Sequence, residues 1–142
     1  MSDITFVMLD DKAIFPERKT SGASGFDLHS VEDVTIYPGV PAKVRTGVGT
    51  VFADTVGCRV EPRSSKDFKG LHVGAGTIDS DYRGEISVVF HNLSDVPIKV
   101  KEGEAIAQLV FYRLADMYQV QYLNEFPDTT ARGAQGFGHT GE

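Results

Sequence analysis

Glu85-Ile86-Ser87-Val88-Val89-Phe90 puts Ile86, Val88 and Phe90 on one side of the chain and Glu85, Ser87 and Val89 on the other. Alternation with a period of two marks a β-strand with one face in a core. The pattern recurs outward from this stretch. Val96, Ile98 and Val100 alternate with Pro97, Lys99 and Lys101, and Tyr118, Val120 and Tyr122 alternate with Gln119 and Gln121. Residues 4–9, 34–37, 48–52 and 58–61 are shorter strand candidates. Tyr37-Pro38-Gly39, Ser94-Asp95 and Glu102-Gly103 supply turn chemistry between strands. Many short strands at fairly regular spacing predict an all-β sandwich or barrel. Residues 105–117 resist this reading, because Ile106, Leu109, Val110, Leu114 and Met117 fall near helical spacing among good helix formers. The pattern alone leaves helix and strand open there.

The 142 residues, 41% hydrophobic and 24% charged, suit one globular domain with a core of its own. The net charge is -6; residues 1–71 carry 10 acids and 9 bases, and residues 72–142 carry 10 acids and 5 bases. No bulk basic surface for nucleic acid or anionic lipid follows, so any anion-binding groups are few and local. The single Cys58 excludes an intrachain disulfide or a cysteine-rich zinc site, and reads as a small buried hydrophobe. No apolar run is long enough to span a membrane, and the N-terminus, with Asp3, Asp10 and Asp11, lacks a secretory apolar region. The expectation is a soluble, intracellular, cytoplasmic protein. His29, His72, His91 and His139 are scattered without zinc-site spacing, and no P-loop or nucleophile-elbow pattern occurs.

Glycine-marked segments hold the polar residues that could do chemistry. Arg63-Ser64-Ser65 offers a guanidinium, two hydroxyls and successive N–H groups, a set able to cradle phosphate or simply to form a turn. Asp79 and Asp81, two apart, would share a face on a strand or hairpin arm. They could bind a metal, act as a base or stay solvated. Residues 128–142 hold four glycines and one large apolar residue, Phe137. Such a segment cannot pack a core; it is either a frayed end or an arm that orders over something, with Arg132 meeting an anion and Phe137 stacking on a planar group.

Taken in order, these segments resemble the five motifs of the trimeric deoxyuridine triphosphatase (dUTPase) family. They are Ser24-Gly25-Phe26-Asp27-Leu28, then Pro62-Arg63-Ser64, then Gly76-Thr77-Ile78-Asp79-Ser80-Asp81-Tyr82-Arg83-Gly84-Glu85. The fourth is Gly103-Glu104-Ala105-Ile106-Ala107-Gln108-Leu109, and the fifth Arg132-Gly133-Ala134-Gln135-Gly136-Phe137-Gly138-His139-Thr140-Gly141. The resemblance implies a distorted jelly-roll or β-barrel-like domain over residues 1–127, with residues 106–111 as strand. A flexible C-terminal arm over residues 128–142 would close over an active site. It also implies a homotrimer with sites at subunit interfaces, the arm of one subunit covering a site made by the other two.

The implied reaction is Mg²⁺-assisted hydrolysis of dUTP to dUMP and pyrophosphate, which limits uracil incorporation into DNA and supplies dUMP for dTMP synthesis. Asp79 resembles the carboxylate that activates water at the α-phosphorus and holds the deoxyribose 3′-OH. Tyr82 resembles the ring packed on the deoxyribose, leaving no room for a 2′-OH. The backbone of a hairpin around residues 73–78, including Val73, Gly76, Thr77 and Ile78, resembles the base-reading edge; Ser87 is placed at the substrate too. Arg63, Ser64, Ser65, Gln108 and Arg132 resemble the phosphate clamp, and Asp27 the residue that holds Mg²⁺ through water. Phe137 would stack over uracil, with Gly138 and His139 beside the substrate.

Some positions depart from the family pattern. Ser65, Ala105, Gln135 and His139 stand where glycine, arginine, glycine and serine are usual. With Ala105 in place of an arginine of the intersubunit network, Arg83 or Arg113 would compensate. Lys66 could reach phosphate or stay solvated, and we favour the solvated position. Two other readings remain: a dCTP deaminase-related enzyme of the same fold, and a non-catalytic nucleotide-sensing regulator.

Overall fold

The computed structural model describes residues 4–115 and 119–138. Along them run β1 (Ile4–Met8), β2 (Phe26–His29), β3 (Val34–Ile36), β4 (Ala42–Phe52), β5 (Val56–Pro62) and α1 (Ser64–Phe68). There follow β6 (Leu71–Val73), β7 (Thr77–Ile78), β8 (Ile86–Asn92), β9 (Ile98–Val100) and β10 (Ala105–Arg113). The opening stretch of sequence is β8, with Ile86, Val88, Phe90 and Asn92 buried and the residues between them partly exposed. It sits inside a four-stranded sheet ordered β1-β4-β8-β6. A second sheet, β2-β10-β5-β7, and a two-stranded ribbon, β3-β9, complete an all-β arrangement of separate layers that does not close into a barrel.

One core fills the space between the layers. Leu28, Ile36, Val44, Cys58, Leu71, Ile86, Val88, Phe90, Val100, Ile106 and Leu109 are almost wholly removed from water. Phe111 of β10 meets Phe6, Phe26 and Phe52 edge-on at centroid distances of 6.2, 5.8 and 5.5 Å, tying the two large sheets together. Burial pushes the Cys58 thiol up to about 12, so it behaves as the small core residue expected.

Residues 105–113 are strand because β10 lies between two neighbours. It pairs with β5 from Ala107↔Pro62 to Arg113↔Val56, and with β2 through Gln108↔Asp27. Tertiary pairing outweighs the helical spacing of Ile106, Leu109 and Val110. β4 begins at Ala42, earlier than the alternation at 48–52 shows, because a register shift between Arg45 and Val48 breaks its pairing with β8. Gly47 sits in that bulge at φ 70, and its carbonyl accepts the Leu9 N–H at 2.8 Å.

Three expectations are corrected. Residues 119–122 carry no regular structure, pair with no described strand, and leave Val120 and Tyr122 exposed; residue 118 lies outside the described residues. Alternation without a neighbouring edge does not make a strand. The candidate at 96–101 shrinks to β9, since Val96 is exposed and Pro97 has no N–H for a ladder. Finally, 73–78 is not a hairpin. β6 pairs with β8 in one sheet and β7 with β5 in the other, so Gly74-Ala75-Gly76 crosses between sheets. Sequence pattern also missed β2, β6, β7 and α1, each five residues or fewer.

Gly47→Ala would meet Ala13 Cβ and Asp10 Cβ at 2.8 Å, whereas Gly39, also at positive φ (74), faces open space. Both alanines bear the left-handed backbone cost of about 1–2 kcal/mol. Urea denaturation is expected to show the larger loss for Gly47→Ala.

Candidate active site

The residues of the first, second and fourth glycine-marked segments meet in one cleft. Pairing of β2 with β10 and of β10 with β5 brings Asp27, Gln108 and Glu61 into register across the sheet. The chain then turns at Pro62 into α1. Asp27, Arg63, Ser64, Ser65 and Gln108 line a cleft of about 390 Å³, together with Lys19, Ala23 and Gly25.

Three bonds stitch residues 62–66 to residues 104–108. Gln108 Nε2 donates to the Pro62 carbonyl at 3.0 Å, Arg63 Nη1 donates to the Ala105 carbonyl at 3.2 Å, and Lys66 pairs with Glu104. Lys66 is therefore neither solvated nor free for phosphate; its side chain is only 13% exposed. A Cβ on Gly25 would collide with the Gln108 side chain, so any larger residue here displaces Gln108. Asp27 is buried, with Oδ1 3.6 Å from Arg63 Nε and Oδ2 without a hydrogen-bond partner among the described residues. His29, two residues along the same face, is also buried, with Nδ1 unpartnered. Burial lowers its pKa, and the charge of Lys19 adds to that effect.

The third segment builds a different cleft, of about 250 Å³. Thr77, Ile78, Asp79, Tyr82 and Ser87 line it with Lys43, Glu85, Ile86 and Val89. The Tyr82 N–H donates to the Asp79 carbonyl at 3.1 Å, closing a turn straight after β7. The Tyr82 hydroxyl donates to the Glu85 carbonyl at 2.9 Å, lying where any Cβ on Gly84 would stand. Arg45 holds Glu85 through Nε and Nη2, at 3.0 and 2.9 Å, and reaches Asp10 at 3.0 Å. These carboxylates raise the Arg45 pKa.

The turn separates the two aspartates expected on one face. Asp79 borders the Tyr82 cleft, whereas Asp81 borders only a neighbouring groove of about 690 Å³, which Asp79 also touches. Val73 and Gly76 line neither cleft. Val73 is buried in β6, and the Gly76 carbonyl accepts the Val60 N–H at 2.7 Å.

No residue is common to the phosphate-type cleft and the Tyr82 cleft. Arg132, Phe137 and Gly138 reach neither; they are exposed, and Arg132 Nε donates to the Gln135 carbonyl at 2.8 Å within its own segment. His139 lies outside the described residues. Arg83, a suggested substitute for the missing arginine at 105, donates to the Ser80 and Tyr82 carbonyls. Lys19, Lys43 and Glu85 had not been expected at a site. Lys19 and Lys43 lie outside the glycine-marked segments, and only the folded arrangement reveals them. Among the described residues no three His, Cys, Asp or Glu side chains group to hold a metal. No helix among the described residues is long and apolar enough to cross a membrane.

Comparison with known proteins points to one family. The dUTPase family model matches residues 11–141. Deoxyuridine 5′-triphosphate nucleotidohydrolase of cowpox virus is 39% identical over 142 residues, covering 99% of this chain and 94% of that one. The monkeypox virus protein of that name is also 39% identical, covering 99% and 91%. Among solved structures, a mutant dUTPase of Staphylococcus bacteriophage 80alpha with dUpNHpp superposes with a TM-score of 0.90 at 23% identity, covering all of both chains. A mutant dUTPase from phage phi11 of S. aureus, whose structure concerns coordination of a structural Mg(II) ion, gives 0.80 at 21% identity, covering 89% of this chain and 100% of that one.

Removing one member of the Lys66–Glu104 pair strands the other beneath the cleft wall. Lys66→Met and Glu104→Gln are each expected to cost about 1–3 kcal/mol. The double variant should lose less than the sum, which a double-mutant cycle in urea would measure.

Proposed function

Because the chain belongs to the dUTPase family, we propose that it hydrolyses dUTP to dUMP and pyrophosphate. The observation that carries this reading is the sorting of the family-like motifs into two clefts of complementary chemistry. One offers Arg63, Ser64, Ser65 and Gln108 to an anion, and the other offers Asp79 and Tyr82 beside apolar walls.

In this reading the nucleoside occupies the Tyr82 cleft. The Tyr82 ring packs on the deoxyribose, its phenol held by the Glu85 carbonyl, and excludes a 2′-OH. The backbone between Val73 and Ile78 reads the uracil edge. Its anchoring to two sheets suits the rejection of thymine, because a methyl group is refused only by a wall that does not move. Cytosine would leave polar groups unpaired, at about 1–3 kcal/mol each.

Asp79 is exposed, and no described residue engages its carboxylate. It takes a proton from water as the water oxygen bonds to the α-phosphorus. The bond from that phosphorus to the bridging oxygen breaks, and pyrophosphate leaves with the electron pair. Arg63, Ser64, Ser65 and Gln108 hold the phosphates in line, joined by Arg132 when the arm closes. Phe137 stacks over uracil, with Gly138 and His139 at its side.

Mg²⁺ fits the phosphate cleft. A hard cation takes oxygen ligands, and Asp27 brings a buried carboxylate oxygen with no hydrogen-bond partner among the described residues. Asp27 would hold the ion through water, and the bound ion supplies charge neutralisation on the triphosphate. With no lining residue shared between the two clefts, one nucleotide spans both most simply when they come from different copies. We therefore place the sites at the interfaces of a homotrimer, with residues 128–142 of a third copy closing each one.

Incubation with dUTP and Mg²⁺ should yield dUMP and pyrophosphate in equal amounts, with little turnover after chelation. Ammonia from dCTP without dUMP from dUTP would overturn the assignment. Asp79→Asn should keep affinity for a non-hydrolysable dUTP analogue while losing about 10²–10⁴-fold in kcat; near-normal turnover would remove Asp79 from its role. Truncation after Thr130 should leave a folded trimer by light scattering and abolish most turnover.

A further inference from the structure

Lys19 lies outside the five motifs, ahead of the first at Ser24, yet it lines the cleft that holds Arg63, Ser64, Ser65 and Gln108. The loop that carries it is pinned on both sides. The Asp27 N–H donates to the Glu17 carbonyl at 3.1 Å, and the Ala23 N–H donates to the Thr20 carbonyl at 3.1 Å. The two adjacent cations of this loop are used differently. Arg18 donates to the Ala23 carbonyl at 3.4 Å, and its guanidinium lies 5.9 Å from the centre of the Phe26 ring, so it fastens the loop to β2. Lys19 makes no hydrogen bond or ion pair with any described residue.

The charge balance of the cleft gives that difference meaning. Arg63 faces the buried carboxylate of Asp27, and Lys66 of the same segment is taken by Glu104. Both positive charges of residues 63–66 therefore have a carboxylate against them before any ligand arrives. Lys19 is the cation of this cleft without one among the described residues. A flexible ammonium of this kind suits a terminal phosphate, which presents several equivalent oxygens and needs no planar fork. Its exposure also lets it act at long range, raising the local concentration of a polyanion around a chain of net charge -6.

We propose that Lys19 is a substrate-binding residue of the phosphate cleft, engaging the β- or γ-phosphate of the nucleoside triphosphate. This rests on the phosphate cleft assigned above. Lys19→Ala should raise KM for dUTP about tenfold and weaken binding of a non-hydrolysable dUTP analogue to the same extent, with kcat within about twofold. Binding of dUMP should not change, because dUMP carries neither distal phosphate. Lys19→Arg should restore most of the affinity, and the salt dependence of KM should flatten in Lys19→Ala. Lys99→Ala, on the exposed side of β9, makes the same change in net charge and is the control. Equal effects of Lys19→Ala and Lys99→Ala would overturn the proposal, as would equal weakening of dUTP-analogue and dUMP binding, which signals a disturbed loop. A wild-type chain that neither binds the analogue nor hydrolyses dUTP would overturn the functional reading as well. A wild-type chain that binds while Lys19→Ala binds equally would overturn this inference alone.

Discussion

The ladder between β10 and its two neighbours is the constraint on which the rest depends. Among the described residues β10 alone pairs with both β2 and β5, and β2 carries Asp27 while β5 runs directly into Arg63. Its inward residues, Ile106, Ala107 and Leu109, are fully buried, so the hydrophobic core fixes its register. Once that register is set, Gln108 must face Asp27 and reach Pro62, and Arg63 must find the Ala105 carbonyl. The cleft lined by Arg63 and Gln108 is thus a by-product of burying apolar side chains on the opposite face of the same strand.

The same logic operates on the other sheet with different materials. β8 is held by the core through Ile86, Val88 and Phe90, while its neighbour β4 absorbs a bulge at Gly47. Arg45, beside that bulge, turns outward and fastens Glu85, whose carbonyl in turn receives the Tyr82 hydroxyl. Each link is a modest interaction at a partly exposed position. Their value lies in geometry more than in stability, because surface ion pairs contribute little by themselves.

Much of this was legible in the sequence where a physical period governs it. β8 could be read from alternation because one of its faces is buried along its whole length. The polar residues of the two clefts could be read because glycines mark the places where backbone and side chain approach closely, as at Gly25 and Gly84. Other features could not be read locally. β10 has helical spacing and is strand only through its partners. β6 and β7 are too short to show a period. Lys19 belongs to no pattern, and its place follows from a loop pinned to β2. The partner of Lys66 is 38 residues away, and nothing in either local sequence announces the pair. The alternation at 118–122 shows the opposite failure, a correct period with no edge to receive it.

The short crossing at Gly74-Ala75-Gly76 joins strands that belong to different sheets, with Gly74 tied to Val89 on one side and Gly76 to Val60 on the other. Such a bridge acts as a ruler. Its contour length is set by the separation of the two layers, so it has no slack for an inserted residue and no surplus to delete. Any repacking that spreads or closes the two layers is transmitted through this bridge to Thr77 and Ile78, which line the Tyr82 cleft.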